Sequence, residues 1–257
     1  MLKKRLIGVI TVKDGWAVQS IGYRRYLPLG KPECMVENLD RWGVDEILVQ
    51  SIDRSRANAG PDYDLLRKLA RLGLSTPLIY AGGIRAVEDG TKVIQGGADR
   101  VAVDALLHDD LPVVRGLSEQ LGAQAIIASL PVAIGGGGLE WFDYRCSAAS
   151  NIGATVVEMI KQGIVSEVML TDWQNEGLPS GFNSRLVDLF SDEAVPLIVF
   201  GGISRVEQMR ELLARPNVVA IGVGNFLSYR EHAVQRFKEE LASAALRPPF
   251  YETKYSL

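Results

Sequence analysis

Two glycine pairs offer the clearest chemistry in this chain. Gly82-Gly83 and Gly201-Gly202 each follow a short apolar run and precede a stretch of helical period. Without side chains in the way, paired glycines let backbone N–H groups approach an anion, and the next helix adds its positive N-terminal end. A tight turn without a ligand explains one such pair equally well. Two copies inside near-identical segments favour anion binding, and they imply an elongated ligand with a phosphate at each end. Gly222-Val-Gly224-Asn225 would complete the second site, with Gly177 grouped beside it. The first-half counterpart is Val103-Asp104-Ala105, where the charge of Asp104 repels an anion and weakens the first site.

Other chemistries are less well supplied. The 257 residues include two histidines, His108 and His232, and two distant cysteines, Cys34 and Cys146, at no metal-ligand spacing. No metal or other cofactor is expected, and chemistry falls to carboxylates, amides and backbone. A formal net charge of -3 provides no basic field for nucleic acid. The apolar run at the N-terminus is too short for a signal peptide, and no window approaches the roughly 20 apolar residues of a membrane span. These features predict a cytoplasmic protein with reduced thiols.

The glycine pairs need elements to hold them. Apolar, β-branched runs recur at Leu6–Val12, Glu46–Ile52, Pro77–Ala81, Val101–Val103, Ala125–Ser129, Glu167–Thr171, Pro196–Phe200 and Val218–Val223. Most are continuous, as strands buried on both faces are. Helical periods lie between them, including Leu65–Leu72, Val206–Leu213 and Ala233–Leu241. Eight strand–helix units close most economically as one (βα)8 TIM barrel over residues 1–257, with an open doubly wound sheet as the competing architecture. Pro77-Leu-Ile-Tyr-Ala-Gly-Gly-Ile-Arg-Ala-Val-Glu88 aligns without a gap on Pro196-Leu-Ile-Val-Phe-Gly-Gly-Ile-Ser-Arg-Val-Glu207. Val36-Glu37 with Gly43 and Glu46 likewise matches Val157-Glu158 with Gly163 and Glu167. The offset is nearly half the chain, which reads as a duplicated half-barrel with both phosphate sites at the C-terminal face.

The opening Leu-Ile-Gly-Val-Ile-Thr-Val-Lys13-Asp14-Gly15, Gly30-Lys-Pro32, Gly43-Val-Asp-Glu46-Ile and the two Gly-Gly-Ile segments carry a resemblance. Along essentially its whole length the chain resembles the cyclase subunit of imidazole glycerol phosphate synthase. It is less similar to the sister barrel, the phosphoribosyl-formimino isomerase. The resemblance implies a two-phosphate substrate and ammonia delivered by a glutaminase docked on the N-terminal face. It also implies ring closure by two aspartates, ending strands one and five. Both are replaced here. The first position is Thr11; the second falls in Ala128-Ser129-Leu130-Pro131, where neither Leu130 nor Pro131 can exchange protons. Gln19 stands for a lysine of the strand-one loop. Glu176 occupies the place of an acidic residue in the strand-six loop, and Asp53 ends strand two. With Thr11 they are the candidates for relocated acid–base work, unless both carboxylates are simply solvated.

The resemblance also implies an ammonia gate of four charges at the strand entries, here Arg5, Glu46, Arg100 (in place of lysine) and Glu167. Asp99 matches a residue that communicates with the glutaminase. The alternative is an ion-pair cluster that caps the barrel bottom for stability. Three functional expectations follow. The first is a diverged paralogue that passes ammonia to another acceptor, similar to the barrels beside sugar amidotransferases of bacterial surface-sugar synthesis. The second is a histidine-pathway cyclase with relocated acid–base residues. The third is a barrel that binds a phosphorylated ligand and has no ammonia role. The aromatic, basic segment Gly22–Gly30 could dock a protein or a sugar nucleotide, and Arg247–Tyr255 reads as a contact surface.

Overall fold

A computed structural model describes residues 3–190, 194–228, 232–242 and 246–248, so most of the Arg247–Tyr255 segment lies outside the described residues. The strands are β1 (Arg5–Lys13), β2 (Trp16–Ile21), β3 (Arg25–Gly30), β4 (Glu46–Ser51), β5 (Leu78–Ala81) and β6 (Arg100–Val103). They continue as β7 (Ile126–Gly135), β8 (Gly138–Asp143), β9 (Ala148–Asn151), β10 (Glu167–Asp172), β11 (Leu197–Phe200) and β12 (Val218–Val223). Eight of them, β1, β4, β5, β6, β7, β10, β11 and β12, are parallel neighbours in that order. Pairing of Arg5 with Ala220 joins the last strand to the first. The sheet is therefore a closed barrel, and the open-sheet alternative fails at that seam.

Alternation along each strand sorts the core into two shells. Ile7, Val9, Leu48, Ile79, Ala102, Ile127, Met169, Ile198, Phe200 and Ala220 fill the barrel interior. Their neighbours Leu6, Ile10, Ile47, Val49, Tyr80, Val101, Leu130, Leu170, Val199 and Ile221 face the helices. Because both faces are buried, the strands read as unbroken apolar runs. The helix Tyr63–Ala70 shows how the outer ring docks: Leu65, Leu66 and Leu69 are buried at helical spacing, and the Asp62 carboxylate caps Leu65 N at 3.0 Å. At the bottom, Lys238 reaches Asp45 at 2.8 Å in a buried ion pair, while Asp45 also accepts from Leu6 N at 2.8 Å. No helix among the described residues is long and apolar enough to cross a membrane.

Two hairpins depart from the eight-strand reading. β2 and β3 pair antiparallel after β1, and β8 and β9 pair antiparallel on an extension of β7. Their sequences lack a continuous apolar run, and β9 is exposed throughout. The barrel strands beneath supply the hydrogen-bonding edge that their own composition does not announce.

Candidate functional site

Both hairpins rise from the C-terminal ends of barrel strands and close over the mouth. Tyr23, at the tip of the first, stacks on Tyr144 of the second with ring centroids 6.2 Å apart. Phe142 stacks on Trp173 of the strand-six loop at 4.1 Å, and Arg24 lies over the same indole at 5.3 Å. Arg145 bridges Asp143 and Asp109, which ties the second hairpin to the helix after strand four. Between the hairpins lies a vestibule of about 530 Å³ lined by Lys13, Arg24, Arg56, Tyr26, Tyr144 and Asp53 among others. Cations and aromatic faces at such an entrance suit an anionic ligand with a ring.

Beneath the tyrosines is a smaller cavity of about 40 Å³, reached by Gln50, Ser129, Pro131, Thr171 and Asp104. Thr11 lies alongside, its Oγ1 accepting from Gln50 Nε2 at 2.8 Å. Of the two residues at which the resemblance led a strand-five aspartate to be expected, Leu130 belongs to the outer shell and Pro131 lines the mouth. Thr171, paired with Pro131 across β7 and β10, is 1% exposed, and its hydroxyl has no hydrogen-bond partner among the described residues.

Asp104 ends strand four and is the mouth carboxyl that sequence reasoning weighed only as a repellent of phosphate. Burial pushes its pKa up to about 7, helped by the nearby charge of Asp143 and opposed by the Tyr144 hydroxyl and Arg145. Its ordinary-looking sequence context, Val103-Asp104-Ala105, gave no signal of this.

The relocated carboxylates are not brought together. Glu176 is neither solvated nor open to the mouth. It is 2% exposed, and its Oε2 accepts from Ser20 Oγ at 2.9 Å and Tyr23 N at 3.3 Å, so it anchors the first hairpin. Burial raises its pKa, with those hydrogen bonds opposing. Asp53 lines the vestibule and accepts from Asp14 N at 2.8 Å in an exposed contact.

The glycine pairs occupy equivalent places in the two halves. Gly82 (φ 123°) and Gly201 (φ 109°) are left-handed, and a Cβ would fall 2.3 Å from Ser51 O in one and 2.4 Å from Asp172 O in the other. Backbone crowding alone therefore demands these glycines. Gly83 N donates to Ser55 Oγ at 3.3 Å. On the other side, a Cβ on Gly202 would meet Asn175 O at 2.9 Å, and one on Gly177 would meet Asn225 Nδ2 at 2.8 Å. Asn225 Nδ2 donates to Ser20 O at 2.6 Å, and Gly224 sits against Phe200 and Val9 O.

At the opposite end, the four predicted charges form one network. Arg5 reaches Glu46 at 3.1 Å and Glu167 at 2.6 Å; Arg100 reaches Glu46 at 3.5 Å and Glu167 at 2.8 Å. The last two contacts are ion pairs without hydrogen-bond geometry; the second ends on Glu167 Oε2, which, like Glu46 Oε2, lacks a hydrogen-bond partner among the described residues. The side chains are only 8–13% exposed. Burial raises the pKa of Glu46 while Arg5 and Arg100 pull it down. Asp99 is held beside the ring, accepting from Leu78 N at 2.7 Å. Cys34 and Cys146 are exposed free thiols, and no metal-binding cluster exists among the described residues.

A family sequence model described as histidine biosynthesis protein matches residues 5–233, which takes in every barrel strand. The chain belongs to that family. Within it, the chain is similar to a Vibrio vulnificus (strain YJ016) protein named as imidazole glycerol phosphate synthase subunit hisF2. The two are 28% identical over 96% of this chain and 91% of the relative. A Pseudomonas aeruginosa protein named in the same way is 25% identical over 90% of this chain and 94% of its own. The imidazole glycerol phosphate synthase subunit HisF of Exiguobacterium sp. (strain AT1b) is 27% identical over 99% of both chains. At this distance the histidine biosynthesis barrel is retained, and the mouth carries Thr11 and Pro131.

Proposed function

We propose that this barrel receives ammonia from a glutaminase docked on its N-terminal face and delivers it to an acceptor held at the mouth. The observation that carries this reading is the Arg5–Glu46–Arg100–Glu167 network, which bridges four strand entries beneath an apolar interior. Such an interior admits neutral ammonia and opposes ammonium, because burying an uncompensated charge costs many kcal/mol. The relatives named as imidazole glycerol phosphate synthase subunits support the kind of chemistry and the kind of partner.

The acceptor is a phosphorylated small molecule that enters through the cationic, aromatic vestibule. Gly177, Gly201, Gly202, Gly224 and Asn225 are its phosphate contacts, and Gly82 and Gly83 line the other end. With Thr11 and Pro131 where an acid–base pair would stand, imidazole ring closure is not the reaction. Amidation or amidination of a bacterial surface sugar, alongside a sugar amidotransferase in the cytoplasm, fits the remaining parts.

Two experiments test this. Arg5→Ala and Glu167→Gln should reduce glutamine-dependent transfer while leaving transfer from added ammonium salts intact; unchanged coupling in both variants sinks the gate. Expression in a strain lacking the histidine cyclase should not restore growth without histidine. Restored growth would overturn the diverged reading in favour of a cyclase with relocated residues.

A further inference from the structure

The two ends of the mouth descend from one repeat yet present opposite electrostatics. Register pairs Ile79 with Arg100 in the first half and Ile198 with Ala220 in the second, so four residues on Asp104 corresponds to Gly224. Seven residues beyond Gly82 stands Asp89, and seven beyond Gly201 stands Gln208. The first half therefore has two carboxylates where the second has neither. Asp89 Oδ2 accepts from Arg85 N at 3.0 Å and Ala86 N at 3.1 Å, which occupies the helix N-terminus that would otherwise meet an anion. Gly83 N is engaged by Ser55. Gln208 instead makes a neutral exchange with the backbone of Phe182, at 3.2 and 2.8 Å.

Asp104 itself has no cation. Arg145 is engaged by Asp143 and Asp109. His108 Nε2 lies 3.9 Å away, and burial lowers its pKa, which keeps the imidazole neutral near pH 7. Asp104 lines the cavity of about 40 Å³ with Ser129, Thr171, Tyr23 and Tyr144, and the Thr171 hydroxyl there is uncommitted among the described residues. A carboxylate facing that small cavity suits a compact cation and repels a phosphate.

We propose that the first half-site binds a primary amine or ammonium ion through Asp104, so that the ligand carries phosphate only at the Gly201-Gly202 end. A buried carboxylate with a tyrosine hydroxyl but no cation of its own gains most from a cation that also donates hydrogen bonds. Thr171 Oγ1 and Ser129 offer further acceptors, and the tyrosine rings add their faces. The elevated pKa of Asp104 is the sign of that unmet demand. The phosphate half of the statement rests on the function proposed above; the amine half does not.

The test is amide-shift mapping by NMR on the whole chain at pH 8 and constant ionic strength, with methylammonium and inorganic phosphate titrated separately. Methylammonium should move the Gly82, Gly83 and Ala105 amides of the wild type, and Asp104→Asn should weaken that response roughly tenfold or more. Tetramethylammonium, which donates no hydrogen bond, should have no effect there; this arm needs no variant. Phosphate should move Gly201 and Gly202 but not Gly82 and Gly83. A methylammonium response that survives Asp104→Asn, or is matched by tetramethylammonium, overturns the amine site. So does phosphate acting equally at both ends. Phosphate acting at neither end, with methylammonium behaving as expected, leaves the amine site standing and removes the phosphate reading.

Discussion

Replacing Asp104 by asparagine should reverse a pH-dependent penalty on stability. In the folded chain this carboxyl titrates near 7, against 3.8 for an ordinary aspartate, and burial is the main cause. A folded-state value above the unfolded one means that the stability this group lends is complete below about pH 4. It is lost as pH rises through 7, because the native site must then bury an unpaired charge. Three pH units at about 1.4 kcal/mol each set a ceiling of about 4 kcal/mol. The side chain retains 13% exposure, so the expected loss is about 2–4 kcal/mol. Asparagine keeps the shape and removes the titration. Urea unfolding of both proteins at pH 5 and pH 8 isolates the effect, because Glu46 and Glu176 titrate alike in each. The variant should gain about 1–2.5 kcal/mol on the wild type between the two pH values, because the loss between 3.8 and 5 is already complete at the lower pH. A difference between the proteins that stays constant within about 0.5 kcal/mol would refute the assignment of Asp104 as a buried, unpaired acid.

Further expectations concern the frame of the site. Arg5→Ala leaves Glu46 and Glu167 sharing Arg100 alone and should cost about 3 kcal/mol in denaturant unfolding, with Arg5→Lys intermediate because an ammonium cannot span both carboxylates as the guanidinium does. Gly82→Ala and Gly201→Ala should each cost several kcal/mol or prevent folding, since the new Cβ meets a backbone carbonyl at 2.3 or 2.4 Å; Gly136→Ala, with open space around it, should change thermal stability by less than about 1 kcal/mol. Glu176→Ala removes the acceptor of Ser20 and Tyr23 N and should release the first hairpin at a cost of about 1–3 kcal/mol, visible as faster tryptic cleavage at Arg24 and Arg25. Unchanged cleavage would mean that the tyrosine and tryptophan stacks hold the hairpin unaided.

The barrel was legible in the sequence because strands buried on both faces must be continuous apolar runs, and because the repeat around Gly82 and Gly201 fixes two symmetric halves. The family resemblance, laid on those strand entries, pointed to Arg5, Glu46, Arg100 and Glu167. It also showed Thr11 and the Leu130-Pro131 pair where acids were expected. What sequence could not decide was which of Leu130 and Pro131 faces the mouth, because one residue of register turns a side chain from the interior to the helices. Nor could it reveal the two hairpins, whose pairing depends on an edge provided by β1 and β7. Glu176 and Asp104 make the contrast plainest: both are carboxylates in loops by sequence. Folding buries one beneath a hairpin, hydrogen-bonded, and leaves the other facing a small cavity without a cation. Charge follows from residue type, but the medium around that charge is set by segments far away in the chain, and only the tertiary structure brings them together.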